Sequence, residues 1–368
     1  LKKITRLFED NFEQGLEIGA SLSLWQKGEE ILSLAYGHTS RKKDQEWTHD
    51  TLIPVYSATK VPAAVTLLLV LEEFGLSPDS LVTQVWRDFP IADATFAELV
   101  SHQCGLPYLN QQANIYNYDT VISAIENQEP AWLPGTQHGY HARTIGFLVD
   151  HPIRLLTGKA LGQIWWERIA EPLMIDFWIG LPEAQHHRVA TLAPGKTIAP
   201  AEAPFYTSLA KKGSIPQKTF SSPQGMVGVG DMNKPEAWQL GVPSLGGVGN
   251  ASSLAQFYQE LILPSEIISD QVQTWLRTPL VDGEDQVLMR PTKFGFGCMF
   301  DPIDPQTSKK TRSLYGKNKD AFGHPGAGGS HAFGDPASGI SFAYTMNQMV
   351  NAIMPTEKVL KMIACLPT

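Results

Sequence analysis

Cysteine is scarce in this chain, and charge of one sign never accumulates. The three cysteines, Cys104, Cys298 and Cys365, are odd in number and widely spaced among 368 residues, which argues against a disulfide framework or a cysteine metal site. The densest basic run is Arg41-Lys42-Lys43, and with a net charge of −8 nothing resembles a nucleic-acid surface. The longest apolar run, Val61 to Leu71, stops at Glu72-Glu73, well short of the ~20 residues that cross a bilayer. It reads as a buried helix, and no membrane span is expected. There is no Gly-x-Ser-x-Gly elbow, no Gly-x-Gly-x-x-Gly, no P-loop and no His-Glu-x-x-His. An α/β-hydrolase is therefore disfavoured, and no cofactor is expected. His138 with His141, and His186 with His187, have ligand-like spacing but no accompanying carboxylate or cysteine cluster, so no metal is expected either.

What is present describes an ordinary globular chain: 43% hydrophobic and 18% charged, long enough for a large core. Ile4, Leu7, Phe8 and Phe12 recur at helical spacing near the start. Alternation over 20–25 (ASLSLW) and 30–36 (EILSLAY) predicts two strands joined by a turn at Gln26-Lys27-Gly28-Glu29. Toward the end, 294–300, 330–335 and 340–346 read as strands, and Pro355 to Leu366 as a closing amphipathic helix. The middle reads as mainly helical, except that Leu192 to Pro235, rich in Pro, Gly, Ser and Lys, reads as an irregular surface excursion. The assembly expected is α/β in the α+β sense. Residues 1–60 and 281–368 would form one antiparallel sheet with terminal helices, and 61–280 a helical second lobe, with a cleft between them. The start is unlike a signal peptide, which favours the cytoplasm for the chain as given; its first residue is Leu, so an exported form with a leader removed is the other reading.

Chemistry enters at "PVYSATKVPAA" (54–64), where Ser57 precedes Lys60 by one helical turn. A lysine so placed reaches back toward the serine hydroxyl if the helix begins near Ala58. Ser57 would then lie at a helix N-terminus, where free backbone N–H groups favour a developing oxyanion. The following Val-Pro-Ala-Ala-Val supplies the apolar surroundings that lower a lysine pKa enough for it to act as a base. The same spacing recurs at Ser40-Lys43, in a charged loop, and at Ser208-Lys211, in the irregular segment, where the lysines would stay solvated. On the local pattern alone, Ser57 is as well explained as a helix cap.

Distant elements separate these readings. "LVSHQCGLP" (99–107), "PGTQHGYHA" (134–142), "PSLGGVGNASSLAQFY" (243–258) and "FGHPGAGGS" (322–330) follow "YSATK" in the order found in the penicillin-recognising serine hydrolases. The chain resembles the branch that holds class C β-lactamases, D-aminopeptidase-like enzymes and family VIII carboxylesterases. The resemblance implies a β-lactamase/transpeptidase-like fold with Ser57 as the acylated nucleophile and Lys60 as its base or proton relay. It also implies Tyr140 as a second base or acid, and the backbone N–H groups of Ser57 and Ala327 as an oxyanion hole. His324-Pro325-Gly326 takes the place of the family's Lys-Thr-Gly. His324, Gly326 and His141 would bind substrate or tune the site, and Gly326, Gly328 and Gly329 would let substrate approach the strand edge.

Two departures point to substrate class. Ala142 stands where the Tyr-x-Asn element has its asparagine, which removes an amide that would hold an acylamino group. His324 in place of lysine removes a permanent cation that would attract a substrate carboxylate. Both favour neutral acyl substrates, so the expectation is a carboxylesterase acting on small neutral esters through an acyl-enzyme. A β-lactamase, a D-amino-acid peptidase or amidase, an acyltransferase and a catalytically silent binding protein are the alternatives. The sequence leaves the oligomeric state open.

Overall fold

The N-terminal spacing forms a helix, α1 (Lys2–Glu13), which buries Ile4 and Phe8. A hairpin follows, β1 (Gly19–Gln26) and β2 (Glu29–Gly37). Its turn has Lys27 at φ 53° and Gly28 at φ 89°, the paired positive values that match the right-handed twist of the flanking strands. Leu22 and Leu24 are wholly buried. This computed structural model describes residues 1–367.

Three two-residue strands, β3 (Ile53–Pro54), β4 (Phe177–Trp178) and β5 (Val248–Gly249), form a small sheet in the order β3-β5-β4. The remaining strands are β6 (Val281–Asp285), β7 (Arg290–Phe294), β8 (Met299–Phe300), β9 (Phe322–Pro325), β10 (His331–Asp335) and β11 (Ile340–Met346). With the hairpin they make one eight-stranded sheet, β2-β1-β11-β10-β9-β8-β7-β6, in which every pairing is antiparallel. β1 runs against the whole of β11, from Ala20 opposite Met346 to Gln26 opposite Ile340, so strands from the two ends of the chain pair within the sheet, one strand in from its β2 edge. The fold is the β-lactamase/transpeptidase-like one that the resemblance implied.

One face of the sheet is covered by α1. The helices that bear on the argument continue with α2 (Lys60–Glu73), α3 (Ala203–Ala210), α4 (Ile215–Ser221), α5 (Ala251–Ile262) and α6 (Glu357–Ile363). α6 joins α1, where the Asn11 amide donates to the Lys358 carbonyl at 3.3 Å. α5 packs on the opposite face against β1, β10 and β11. The main-chain carbonyl of Ala255 accepts from the Ser341 hydroxyl at 2.6 Å. A boundary at residue 281 would thus separate the sheet from one of its own covering helices. In α2, eleven of fourteen residues are buried, which is why its sequence shows a continuous apolar run and no stripe.

Three expectations are corrected. The run 294–300 is two strands, because Gly295 and Gly297 turn the chain and the Gly295 N–H donates to the Cys298 carbonyl at 3.0 Å. Leu192 to Pro235 is no irregular excursion: it contains α3, α4 and a short helical turn at Val229–Met232. Two of its prolines, Pro204 in α3 and Pro216 in α4, sit at helix starts, where a missing N–H costs nothing. The helix after Ser57 starts later than Ala58; a 3₁₀ turn, Tyr56–Thr59, comes first and α2 begins at Lys60 itself.

Candidate active site

The turn that carries Ser57 is fixed from both sides. The Thr59 hydroxyl donates to the Tyr56 carbonyl at 2.5 Å and accepts from the Gly247 N–H at 2.9 Å. The Val55 N–H donates to the Gly247 carbonyl at 2.9 Å. A Cβ on Gly247 would fall 2.5 Å from Thr59 Oγ1, so the glycine-rich turn of 243–249 is shaped to reach the nucleophile's turn. Tyr56, immediately before Ser57, is held at φ 49°, a left-handed conformation that a bulky residue adopts only under constraint. Gly326 presses from the third side: a Cβ there would lie 2.1 Å from the Val55 carbonyl oxygen, and one on Gly328 would strike Met349. Packing within the protein alone therefore requires glycine at both positions, and Gly328 also lines the cavity described below.

Lys60 is 4% exposed, whereas Lys43 and Lys211, the lysines of the other two Ser-x-x-Lys matches, are exposed. Lys60 Nζ makes three contacts: Ser57 Oγ at 3.1 Å, the Ala142 carbonyl at 3.0 Å and the Ser244 carbonyl at 2.7 Å. A carbonyl can only accept. A neutral amine therefore donates its two hydrogens to Ala142 and Ser244, and its lone pair faces the Ser57 hydroxyl. Burial lowers the lysine well below its ordinary range, and the nearby Arg143 charge lowers it further. Lys60 Nζ and Ser57 Oγ thus lie within hydrogen-bond reach of one another in a buried setting. Ser244, which completes that cradle, was not singled out from the sequence, though it lies in the quoted 243–258 stretch.

The Lys60 ammonium position lies 4.8 Å from the centre of the Tyr140 ring. The Tyr140 hydroxyl faces that of Ser57 but makes no well-formed hydrogen bond to any described residue. Burial raises its pKa far above the ordinary phenol value, which keeps it protonated and able to donate. The Tyr140 N–H donates to the buried Asp285 carboxylate at 3.1 Å, which also accepts from the Val287 and Leu288 N–H groups, both at 2.8 Å. This is how the unforeseen hairpin of β6 and β7 sets the tyrosine's position.

His324, on β9, stacks against Tyr140 with ring centroids 5.7 Å apart. Its Nδ1 donates to the Pro325 carbonyl at 2.8 Å, leaving Nε2 as an acceptor without a partner among the described residues. Burial, aided by Lys60, brings the imidazole down to about 3, so it is neutral over the working range. Among the described residues no hydrogen bond joins His324 Nε2 to the Tyr140 hydroxyl; the two rings stack instead. His141 also differs from expectation. Its Nδ1 donates to the Gly139 carbonyl at 2.6 Å and its Nε2 accepts from the Leu106 N–H at 2.8 Å, so neither nitrogen is free for a substrate. It ties the 102–106 loop to the tyrosine's segment, and His102, whose Nδ1 accepts from the His141 N–H at 3.2 Å, packs edge-on to Tyr140.

Ser57 and Ala327 line one cavity of about 390 Å³. Among the described residues neither backbone N–H has an acceptor, as an oxyanion site requires. The far wall comes from α3, α4 and the loop after them, with Phe205, Tyr206, Leu209, Phe220 and Met226. Sequence reading missed this wall altogether, although the aromatic residues of 205–220 lie within the stretch taken as an excursion. It also missed Arg143, which is 5% exposed beside the cavity. Among the described residues no group of three or more His, Cys, Asp or Glu side chains is arranged to hold a metal ion.

The model of the family described as Beta-lactamase matches residues 8–362. The chain belongs to the beta-lactamase family. Esterase/beta-lactamase LipL of Mycobacterium tuberculosis is 27% identical over 374 residues, covering 96% of this chain and 82% of the relative. A penicillin-binding protein homologue from Caulobacter crescentus superposes with a TM-score of 0.84 at 30% identity, covering 99% of this chain and 95% of that one. A family VIII carboxylesterase superposes with a TM-score of 0.86 at 29% identity, covering 98% and 95%. The chain is accordingly a beta-lactamase-fold serine hydrolase by family, and no helix among the described residues is long and apolar enough to cross a membrane.

Proposed function

We propose that this family member is a carboxylesterase that cleaves small neutral esters through an acyl-enzyme on Ser57. The observation that carries the reading is the cavity's lining: the wall facing the nucleophile is aromatic and aliphatic, and the strand position beside it holds a neutral histidine. The names of the esterase relatives fit the same reading.

In this mechanism the Lys60 lone pair takes the Ser57 proton as Oγ bonds to the ester carbon. The carbonyl oxygen gains its charge between the N–H groups of Ser57 and Ala327. When the tetrahedral species collapses, the carbon–alkoxide bond breaks, and the departing oxygen takes a proton from Tyr140, which Lys60 re-supplies. The burial shifts divide the roles: a lysine pushed down serves as base and a phenol pushed up as donor. Water then attacks the acyl-serine by the reverse proton path and releases the acid.

A hydrolysis panel tests this reading: p-nitrophenyl esters of several chain lengths, nitrocefin and a D-alanyl amide. Esters should be turned over far faster than the other two. Equal efficiency on nitrocefin and p-nitrophenyl butyrate would replace the esterase reading with the β-lactamase one.

A further inference from the structure

The mechanism above uses no side chain of the 99–107 stretch, "LVSHQCGLP". Within it His102 is 1% exposed and held at φ 68°, a left-handed conformation in which asparagine, aspartate and histidine are the commonest non-glycine residues. It follows the short helix Phe96–Val100, whose start is fixed by a capping box between Thr95 and Glu98. From that turn two acceptors of one residue reach the segment that carries Tyr140. The His102 carbonyl accepts from the Gly139 N–H at 3.1 Å, and His102 Nδ1 accepts from the His141 N–H at 3.2 Å. Between them the Tyr140 N–H donates to Asp285 at 3.1 Å. Three successive N–H groups, centred on the tyrosine, are thus all engaged, two of them by His102.

The rings continue the pattern. His102 meets Tyr140 edge-on at 5.1 Å between centroids and Phe294 edge-on at 4.7 Å. Phe294 in turn lies parallel to Tyr140, with centroids 6.1 Å apart. His102 lines a space of about 10 Å³ together with Lys60 but takes no part in lining the substrate cavity, so it lies behind the reacting groups. Its Nδ1 can accept only from a neutral ring that carries its hydrogen on Nε2. Burial, with His141 beside it, holds the imidazole in that form.

We propose that His102 is a positioning residue of this site: its two acceptors fix the residues on either side of Tyr140 and so hold the phenol where it protonates the departing alkoxide. The inference rests on the reading of Tyr140 as that proton donor. Its consequence is selective. A p-nitrophenolate leaves without a proton, whereas an ethoxide needs one, so a displaced phenol should be felt on the alkyl ester alone.

The test compares kcat/KM on ethyl butyrate and p-nitrophenyl butyrate, which share an acyl group and differ in the oxygen that departs. The variants are His102→Asn, His102→Leu, Tyr140→Phe and the His102→Leu/Tyr140→Phe double. Asparagine keeps an acceptor and tolerates the positive φ; leucine keeps bulk and loses the acceptor. His102→Leu should lose about tenfold or more on ethyl butyrate but under about threefold on the p-nitrophenyl ester. His102→Asn should stay within about threefold of the unmodified protein on both. Added to Tyr140→Phe, His102→Leu should cost little more, because both act through one phenol. An equal loss on the two esters overturns the proposal, as does an Asn variant as impaired as Leu or a fully additive double. If the Leu variant does not fold, His102→Gly, which accepts the same φ and lacks the acceptor, is read by the same criteria. A Tyr140→Phe variant without the leaving-group selectivity overturns the tyrosine's role and this proposal together. A selective Tyr140→Phe beside an unselective His102→Leu overturns the proposal alone. Turnover of neither ester overturns the esterase reading, and the proposal with it.

Discussion

The phenol of Tyr140 lies against the imidazole of His324 with planes 29° from parallel, and the reactive atom of each ring, Oη and Nε2, lacks a partner among the described residues. Unsatisfied buried polar atoms are costly, and the unpartnered Tyr140 hydroxyl, which faces that of Ser57, is a place where a reacting group can be met. Tyr140 should therefore act with Lys60 as one proton-transfer unit. Lys60→Ala and Tyr140→Phe should each lower kcat by about 10²–10⁴-fold, and the double variant by little more than either. Additive losses in the double-mutant cycle would mean that the two groups work separately.

Ser57→Ala should abolish both turnover and fluorophosphonate labelling. Ser40→Ala and Ser208→Ala should leave both within about twofold, because Lys43 and Lys211 are exposed and lack the buried setting of Lys60. Peptide mapping of the labelled protein decides the matter; a label on either of the other serines would remove Ser57 from the mechanism.

The His324 position has a different consequence from the one its sequence suggests. Read alone, His324→Lys restores a cation for a substrate carboxylate. In the structure the residue is 2% exposed, stacks on Tyr140 and is not among the residues that line the cavity. A lysine there would bury a second amine in a site whose burial already disfavours charge on Lys60, with no partner charge provided for it. The variant should lose at least ~10-fold in ester kcat/KM at neutral pH and gain no comparable nitrocefin turnover. Retained esterase with new β-lactam hydrolysis would show that the side chain reaches the substrate.

The wall should read the acyl chain. Phe220 is half-buried and packs on Phe205 with centroids 5.2 Å apart. Truncating it in Phe220→Ala removes apolar contact worth about 1.5–3 kcal/mol when fully made. The loss in kcat/KM should be about tenfold or more for p-nitrophenyl hexanoate and small for the acetate. A uniform loss across chain lengths would place the acyl group elsewhere.

Stability should depend on a buried ion pair far from the cavity. Glu17 Oε1 lies 2.5 Å from Lys358 Nζ and 2.6 Å from the Tyr344 hydroxyl, which links the chain before β1 to β11 and α6. Glu17→Ala strands the lysine charge and should cost about 3–5 kcal/mol in denaturant unfolding with per-molecule esterase activity unchanged at low temperature. A loss below ~1 kcal/mol would mean that water reaches the lysine.

The parts of the fold legible in sequence were those with local periodicity. β1, β2 and β11 alternate, and Lys27-Gly28 has the chemistry of its turn, so their spans agree with the structure to within a residue. The parts that were not legible depend on partners distant in the chain. No local pattern reveals that Ser244 turns its carbonyl to Lys60, that Asp285 holds the Tyr140 backbone or that both nitrogens of His141 are engaged. α3 and α4 were obscured because loop-forming residues also start helices: Pro204, Ser214 and Pro216 were read as breakers, whereas Ser214 caps α4 by accepting from the Gln217 N–H. The proximity of Ser57 and Lys60 is legible because one helical turn is a local distance.

The separation between the cradle and the wall has an evolutionary corollary. The groups around Ser57 come from 55–60, 140–143, 244–247 and 324–327, while the far side of the cavity is built mainly by one stretch, 205–229. The two are joined through the Arg143 guanidinium, which donates to the Pro223, Gly225 and Met226 carbonyls. Drift in that stretch, even of its length, can reshape what the cavity admits without disturbing the proton-transfer groups, provided three carbonyls still meet the arginine. New substrate ranges on this scaffold are thus reachable by changing one contiguous piece of chain.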